Sequence, residues 1–427
     1  TLTDSEFGSV HGRVSEITYT NESIDLTAES NLQRLTATVS VPPTYLASSA
    51  TCMDAALSVA GYTSSGLSTT DTTSFPGWYG TLLDYLKHYC VVHGKEYYTV
   101  ATVPTVLYFR DVRQSSFSGQ IGGTSQTLND QNLAKTITLN QYTYAVPSTV
   151  SDNVEFTPAA AQDDPQILTV NAGETVDYEI TLNGWVSSVN QPVAMDLVGP
   201  ETRTDGGAYC VAGNDGLPIT AAQWISSGGR VVVSVSDNPS VLKVTVVAPP
   251  VNQLPGVDGG DRYGPYSIAA TAVDDNTFYN SLHITGKGLT FEKTLLTFPT
   301  GAVSDVTIEE IGTEVDNPFV NSTSLAYAMG VASAQAYSGP VHTVSLTGVN
   351  PTSTDINASL GSRVSMGYSK FRVVNATFDP SGVQLTGDSD TLYSDFDTVW
   401  SGKTYSQFDV VWSGHTYGEF STSPLMG

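Results

Sequence analysis

Histidine and cysteine are the side chains best suited to metal binding or nucleophilic catalysis, and one stretch brings both together, His88-Tyr89-Cys90-Val91-Val92-His93. The spacing around it predicts a helix starting at Pro76-Gly77, because Trp78, Leu82, Leu83, Leu86 and Cys90 recur every three or four residues. On a helix His88 and Cys90 diverge by about 200° around the axis. They cannot share one ion, so ordinary helix-end residues are the expectation. His11, His283, His342 and His415 stand alone, and no H-E-x-x-H is present. Thr285-Gly286-Lys287-Gly288 lacks the upstream Gly and the closing Ser/Thr of a phosphate loop and reads as a turn. A G-x-S-x-G elbow is absent. Asp258-Gly259-Gly260-Asp261 and Asp388-Ser389-Asp390 offer carboxylates to Ca²⁺, yet neither completes the D-x-D-x-D-G loop with its Glu, so both read as acidic turns. The acid pair of a glycoside hydrolase is defined by separation in space, and nothing among 42 acidic residues singles out a pair. The residues therefore assign no catalytic, metal or cofactor site, and the expectation is a protein without enzymatic activity.

The elements that would carry such residues are mostly strands. Ile24, Leu26 and Ala28, after an Asn21-Glu22 turn, and Leu35, Ala37, Val39 and Val41 alternate with polar residues as half-buried strands do. A helix over 49–60 buries Met53, Ala56, Leu57 and Ala60 and ends at Gly61. Strands are expected at 97–100 and 103–109. Asp163-Asp164-Pro165 reads as a linker into a small β-sandwich, in which 231–235 and 241–247 face each other across Asp237-Asn238-Pro239-Ser240. Trp185 or Trp224 is expected to fill its core. A third block has strands at 266–273 and 281–284. It also has a helix over 322–337 with Leu325, Ala328, Met329, Ala332 and Ala336 in one stripe, and strands at 341–346 and 370–378. The fold class expected is mainly β with a few short helices. Its divisions are 1–160, 161–250, 251–387 and a C-terminal segment 388–427.

Composition narrows the function classes. The formal net charge is −25, from 17 basic and 42 acidic side chains, and such a field repels the polyanions that a nucleic-acid binder must grip. Charged residues make up only 14% of 427, so a surface rich in the 53 Thr and 47 Ser is polar without being highly charged. Hydrophobic content of 40% supports packed cores. No run approaches the ~18 apolar residues of a membrane span, and the start, Thr1-Leu2-Thr3-Asp4-Ser5-Glu6, has no signal-peptide pattern. A soluble protein is expected. Cys52, Cys90 and Cys210 are too few and too scattered for a disulfide scaffold and suit a reducing cytosol. The sequons at Asn21, Asn321, Asn357 and Asn375 are read as chance in an Asn-, Ser- and Thr-rich chain.

The strongest internal signal is a twelve-residue repeat. Tyr393, Tyr405 and Tyr417 are each twelve apart, as are Phe396, Phe408 and Phe420, and Trp400-Ser401-Gly402 recurs as Trp412-Ser413-Gly414. Thr404 with Gln407 and Thr416 with Glu419 have capping-box spacing, which predicts short helices with Tyr405, Phe408 and Trp412 on one face. Helices of about eight residues are marginal alone, so the aromatic faces need cover. Docking on another subunit or on the body of the protein is the reading preferred, with stacking on sugars and a mobile tail as the alternatives. The partner-docking set is Tyr393, Phe396, Trp400, Tyr405, Phe408, Trp412, Tyr417 and Phe420.

These repeats resemble those closing minor tail proteins of long-tailed phages that infect actinobacteria. Three further stretches look like the same group. They are Phe75-Pro76-Gly77-Trp78-Tyr79-Gly80 before Leu82-Leu83-Asp84-Tyr85-Leu86-Lys87, Val189-Asn190-Gln191-Pro192, and Val315-Asp316-Asn317-Pro318-Phe319-Val320. The likeness spans nearly the whole chain and rests on the number and order of short motifs. Such proteins are similar to baseplate hub, or tail-tip, proteins. That resemblance implies two β-barrel-like hub domains, here 1–160 and 251–387, flanking the sandwich. It further implies a homotrimer whose six barrels match the sixfold distal tail ring, with the tape measure protein and other minor tail proteins or fibres as neighbours. The location implied is the virion tail tip, assembled in the host cytoplasm, with a part in the DNA ejection conduit. Some relatives carry a C-terminal lysin or peptidase domain. This chain has aromatic repeats there instead, so the scaffold role carries over and cell-wall hydrolysis does not. A secreted or virion-surface carbohydrate-binding adhesin is the alternative.

Overall fold

Period-two patterning is clearest in one hairpin, and its strands follow it. In Arg230–Val235 and Val241–Val247 the residues Val231, Val233, Leu242, Val244 and Val246 are buried, while Val232 is exposed. The antiparallel register sets Val231 opposite Val246 and Val233 opposite Val244, so both strands present their apolar set to one side. Asn238 builds the turn between them: its Oδ1 accepts from the Ser240 amide and hydroxyl, and its carbonyl accepts from the Val241 amide.

The computed structural model describes residues 2–4, 8–10, 12–19, 24–100, 103–112, 119–129, 134–156, 159, 167–190, 194–197, 211–214, 218–219, 221–256, 259–269, 280–300, 312–336, 341–351, 363–366, 369–379 and 382–389. Among them the fold is mainly β with four short α-helices: α1 (Ser49–Ser58), α2 (Leu82–His93), α3 (Ala221–Ser226) and α4 (Thr323–Ala336). Among the described residues no sheet closes into a barrel, so the expected barrel-like closure is not seen. No helix among the described residues is long and apolar enough to cross a membrane.

The chain divides into two compact units. One comprises Leu32–Leu86 and Thr143–Glu292. Its main core gathers Phe156, Leu168, Ile180, Val186, Trp224, Val231, Leu242, Val244, Tyr266 and Ile284. A three-stranded sheet, Thr175–Thr181 beside Val241–Val247 beside Arg230–Val235, contributes one side of that cluster. Ile167–Val170 paired with Tyr266–Ala269 contributes another. Trp224 is fully buried and meets Tyr266 edge to face at 5.3 Å, so it does fill this core. Trp185 is buried separately, with its ring 4.5 Å from that of Phe291 and 5.4 Å from that of Tyr144. Helix α1 starts at Ser48, whose hydroxyl accepts from the Thr51 amide, and is closed by the Tyr62 amide donating to Leu57 beyond Gly61 at φ +76°.

The other unit comprises Thr1–Asn31, Lys87–Tyr142 and Lys293–Gly427. Helix α4 covers a core of Ala134, Ile137, Leu139, Phe298, Val320 and Met329. The strand segment 136–140 runs parallel to Gly312–Asp316. An antiparallel sheet orders Val341–Pro351, Gly382–Ser389, Ser369–Asp379 and Arg363–Met366 side by side, with Val344, Leu346, Phe371, Val373 and Leu385 buried together.

Several sequence expectations are corrected. The helix expected from Pro76-Gly77 starts later: Trp78–Thr81 is a strand paired with Thr38–Val41, and Thr81 caps α2 by accepting from the Asp84 amide. The strand expected through Leu35 and Ala37 is a 3₁₀ helix at Asn31–Thr36, with a strand only from Thr38. The stripe of α4 is only partly as expected: Met329 and Ala332 are buried, but Leu325 and Ala328 are half-buried while Ala326 and Ala334 take core positions, with the Phe298 ring lying on Gly330, where a Cβ would come within 2.2 Å of it. Thr285-Gly286-Lys287-Gly288 is no turn but lies inside the long strand Asn280–Pro299. Its glycines admit the neighbouring strand Gly184–Val189: a Cβ on Gly286 would sit 2.1 Å from the Ser188 carbonyl oxygen, and one on Gly288 equally close to that of Trp185.

Candidate functional site

The eight aromatics assigned to partner docking, Tyr393, Phe396, Trp400, Tyr405, Phe408, Trp412, Tyr417 and Phe420, lie outside the described residues. The remaining candidates resolve into local chemistry. Within the His/Cys stretch, Tyr89 and Cys90 are buried, and burial pushes the Cys90 thiol up to about 12. Cys52, inside α1, is likewise raised by burial, to about 11. At neutral pH both are protonated thiols, which are poor nucleophiles. His93 sets its ring 4.5 Å from that of Tyr89, and the carbonyl of His88 accepts from Asn317. Among the described residues no three His, Cys, Asp or Glu side chains gather as a metal site.

The three internal motifs singled out in the sequence hold packing joints among their described residues. In Phe75-Pro76-Gly77-Trp78-Tyr79-Gly80 the Pro76 carbonyl accepts from the Tyr85 hydroxyl, and the Trp78 indole donates to the Thr81 carbonyl at 3.0 Å. Gly77 faces the Trp185 ring so closely that a Cβ would lie 2.7 Å from three of its atoms. The motif thus ties the strand before α2 to its first turn and to a buried tryptophan. In Val189-Asn190-Gln191-Pro192, Asn190 donates its amide to the Thr285 carbonyl and its Nδ2 to the Thr285 hydroxyl. Gln191 and Pro192 lie outside the described residues.

Val315-Asp316-Asn317-Pro318-Phe319-Val320 is the richest of the three. Asn317 is 1% exposed. Its Nδ2 donates to the His88 carbonyl and its Oδ1 accepts from the Phe319 amide, both at 3.0 Å. The turn is completed when the Val320 amide donates to the Asn317 carbonyl and the Val320 carbonyl accepts from the Tyr142 amide. Phe319, buried, then meets Tyr89 edge to face at 5.4 Å. One asparagine therefore joins the end of α2 to the segment leading into α4.

Beside this turn lies a polar cluster that sequence reasoning missed. Asn140 and Tyr142 sit two apart on one strand, as do Glu314 and Asp316 on its parallel neighbour, so each pair shares a face. Asn140 donates to Glu314 at 2.7 Å, and the buried Tyr142 hydroxyl donates to Asp316 at 2.6 Å. Lys293 pairs with Asp316 at 3.2 Å and lies 4.9 Å above the Tyr142 ring. Burial, the Asp316 hydrogen bond and the two carboxylate charges hold the Tyr142 phenol well above its ordinary value. The two-residue spacing was visible in the sequence. The parallel pairing that joins residues 174 positions apart was not.

The chain matches no known protein-family model, no curated protein and no solved structure.

Proposed function

We propose that this chain is a structural minor tail protein of a long-tailed phage, a baseplate hub or tail-tip component that assembles as a homotrimer. On this reading 1–160 and 251–387 are the hub domains, 161–250 is the inserted sandwich, and 388–427 holds a neighbour through its aromatic repeats. The hub joins the distal tail ring to the tip, next to the tape measure protein and further minor tail proteins or fibres. The observation that carries the reading is the ordered set of three internal motifs followed by the terminal repeats. Supporting it, the described polar atoms of those motifs are used to fix backbone and rings, as a scaffold requires. Net charge adds a physical reason: three copies would bring three times −25, and a like-charged wall lets ejecting DNA pass without adhering. Electron cryomicroscopy of the assembled tail tip tests both parts. Three copies below the distal ring support the hub. A stable monomer absent from virions overturns it, and a lumen lined by Lys and Arg overturns the charge argument.

The aromatic repeats also favour a second reading, a carbohydrate-binding adhesin on the virion surface or secreted. Glycan-array binding that is lost with residues 391–427, from a chain found outside the tail tip, would select it.

A further inference from the structure

We draw no further inference here: the strongest candidate, the side-chain cluster of Asn140, Tyr142, Lys293, Glu314 and Asp316 on the parallel strand pair, is an acidic cluster marked by hydrogen bonds between its own members, and no second observation among the described residues points to a ligand.

Discussion

Asn317→Ala is the sharpest perturbation of the joint between α2 and the segment preceding α4. The substitution removes a donor to the His88 carbonyl and the acceptor for the buried Phe319 amide. A buried amide left without a partner costs about 1–3 kcal/mol, and the lost Nδ2 bond adds about 1 kcal/mol. The expected destabilisation is therefore about 2–4 kcal/mol, confined to the unit that contains both segments. Hydrogen exchange followed by mass spectrometry reads this locally. With about 1.4 kcal/mol per factor of ten, amides in α4 and the last turn of α2 should exchange at least about 30-fold faster. Those of strands Arg230–Val235 and Val241–Val247, in the other unit, should keep their wild-type rates. Asn317→Asp preserves shape and the acceptor for Phe319 but sets a carboxylate oxygen against the His88 carbonyl, so it should be no better than alanine. Exchange within threefold of wild type in Asn317→Ala, or full protection in Asn317→Asp, would refute the reasoning.

Gly286→Ala should cost more than about 3 kcal/mol and abolish soluble expression, because its Cβ meets a backbone carbonyl that cannot swing aside. Gly61→Ala, with open space but φ +76°, should cost only about 1–2 kcal/mol in thermal or urea unfolding. Alkaline unfolding should follow from the buried thiols and from Tyr142. Their folded values lie above the unfolded ones, so the stabilisation is complete below about pH 9 and is lost as pH rises, through about 11 for Cys52 and about 12 for Cys90. Each group contributes a slope of up to about 1.4 kcal/mol per pH unit. Urea midpoints that stay flat from pH 9 to 11 would contradict it. Deleting residues 391–427 should leave the rest of the chain folded and strip one neighbouring tail protein from particles. Unchanged particle composition, read by mass spectrometry, would refute the docking role of the repeats.

Local rules were legible where one stretch of chain decides its own structure. The Val231–Val246 hairpin shows its alternation and its turn residues together. Helix α1 shows its apolar stripe and its closing glycine. Strand Ile24–Ser30 forms and pairs with Gly12–Tyr19, while the expected Asn21-Glu22 turn lies outside the described residues. The failures share one cause, which is that the deciding partner lies far away in sequence. Gly286 and Gly288 look like turn residues until the strand that needs their missing side chains, Gly184–Val189, is placed beside them. Leu325 looked more apt for the core than Ala326. Phe298 settles the matter, because its ring lies on Gly330 and fixes which side of α4 faces inward.

The same distinction bears on function. A catalytic site announces itself through titratable groups whose surroundings shift them toward reactivity. Here burial holds protons on the Cys52 and Cys90 thiols and on Tyr142 at neutral pH, and burial with the nearby Lys95 charge keeps the His93 imidazole neutral. Tight geometric constraint falls instead on Gly77, Gly286, Gly288, Gly330 and Asn317, and each acts on backbone or on a buried ring. In a scaffold, joints of this kind are what cannot drift, because a slipped register displaces every surface presented to a neighbour. Short motifs built around such joints therefore carry information as an ordered set even though each is weak alone. That is why the proposed hub role rests on their sequence along the chain together with the terminal repeats, rather than on any one side chain.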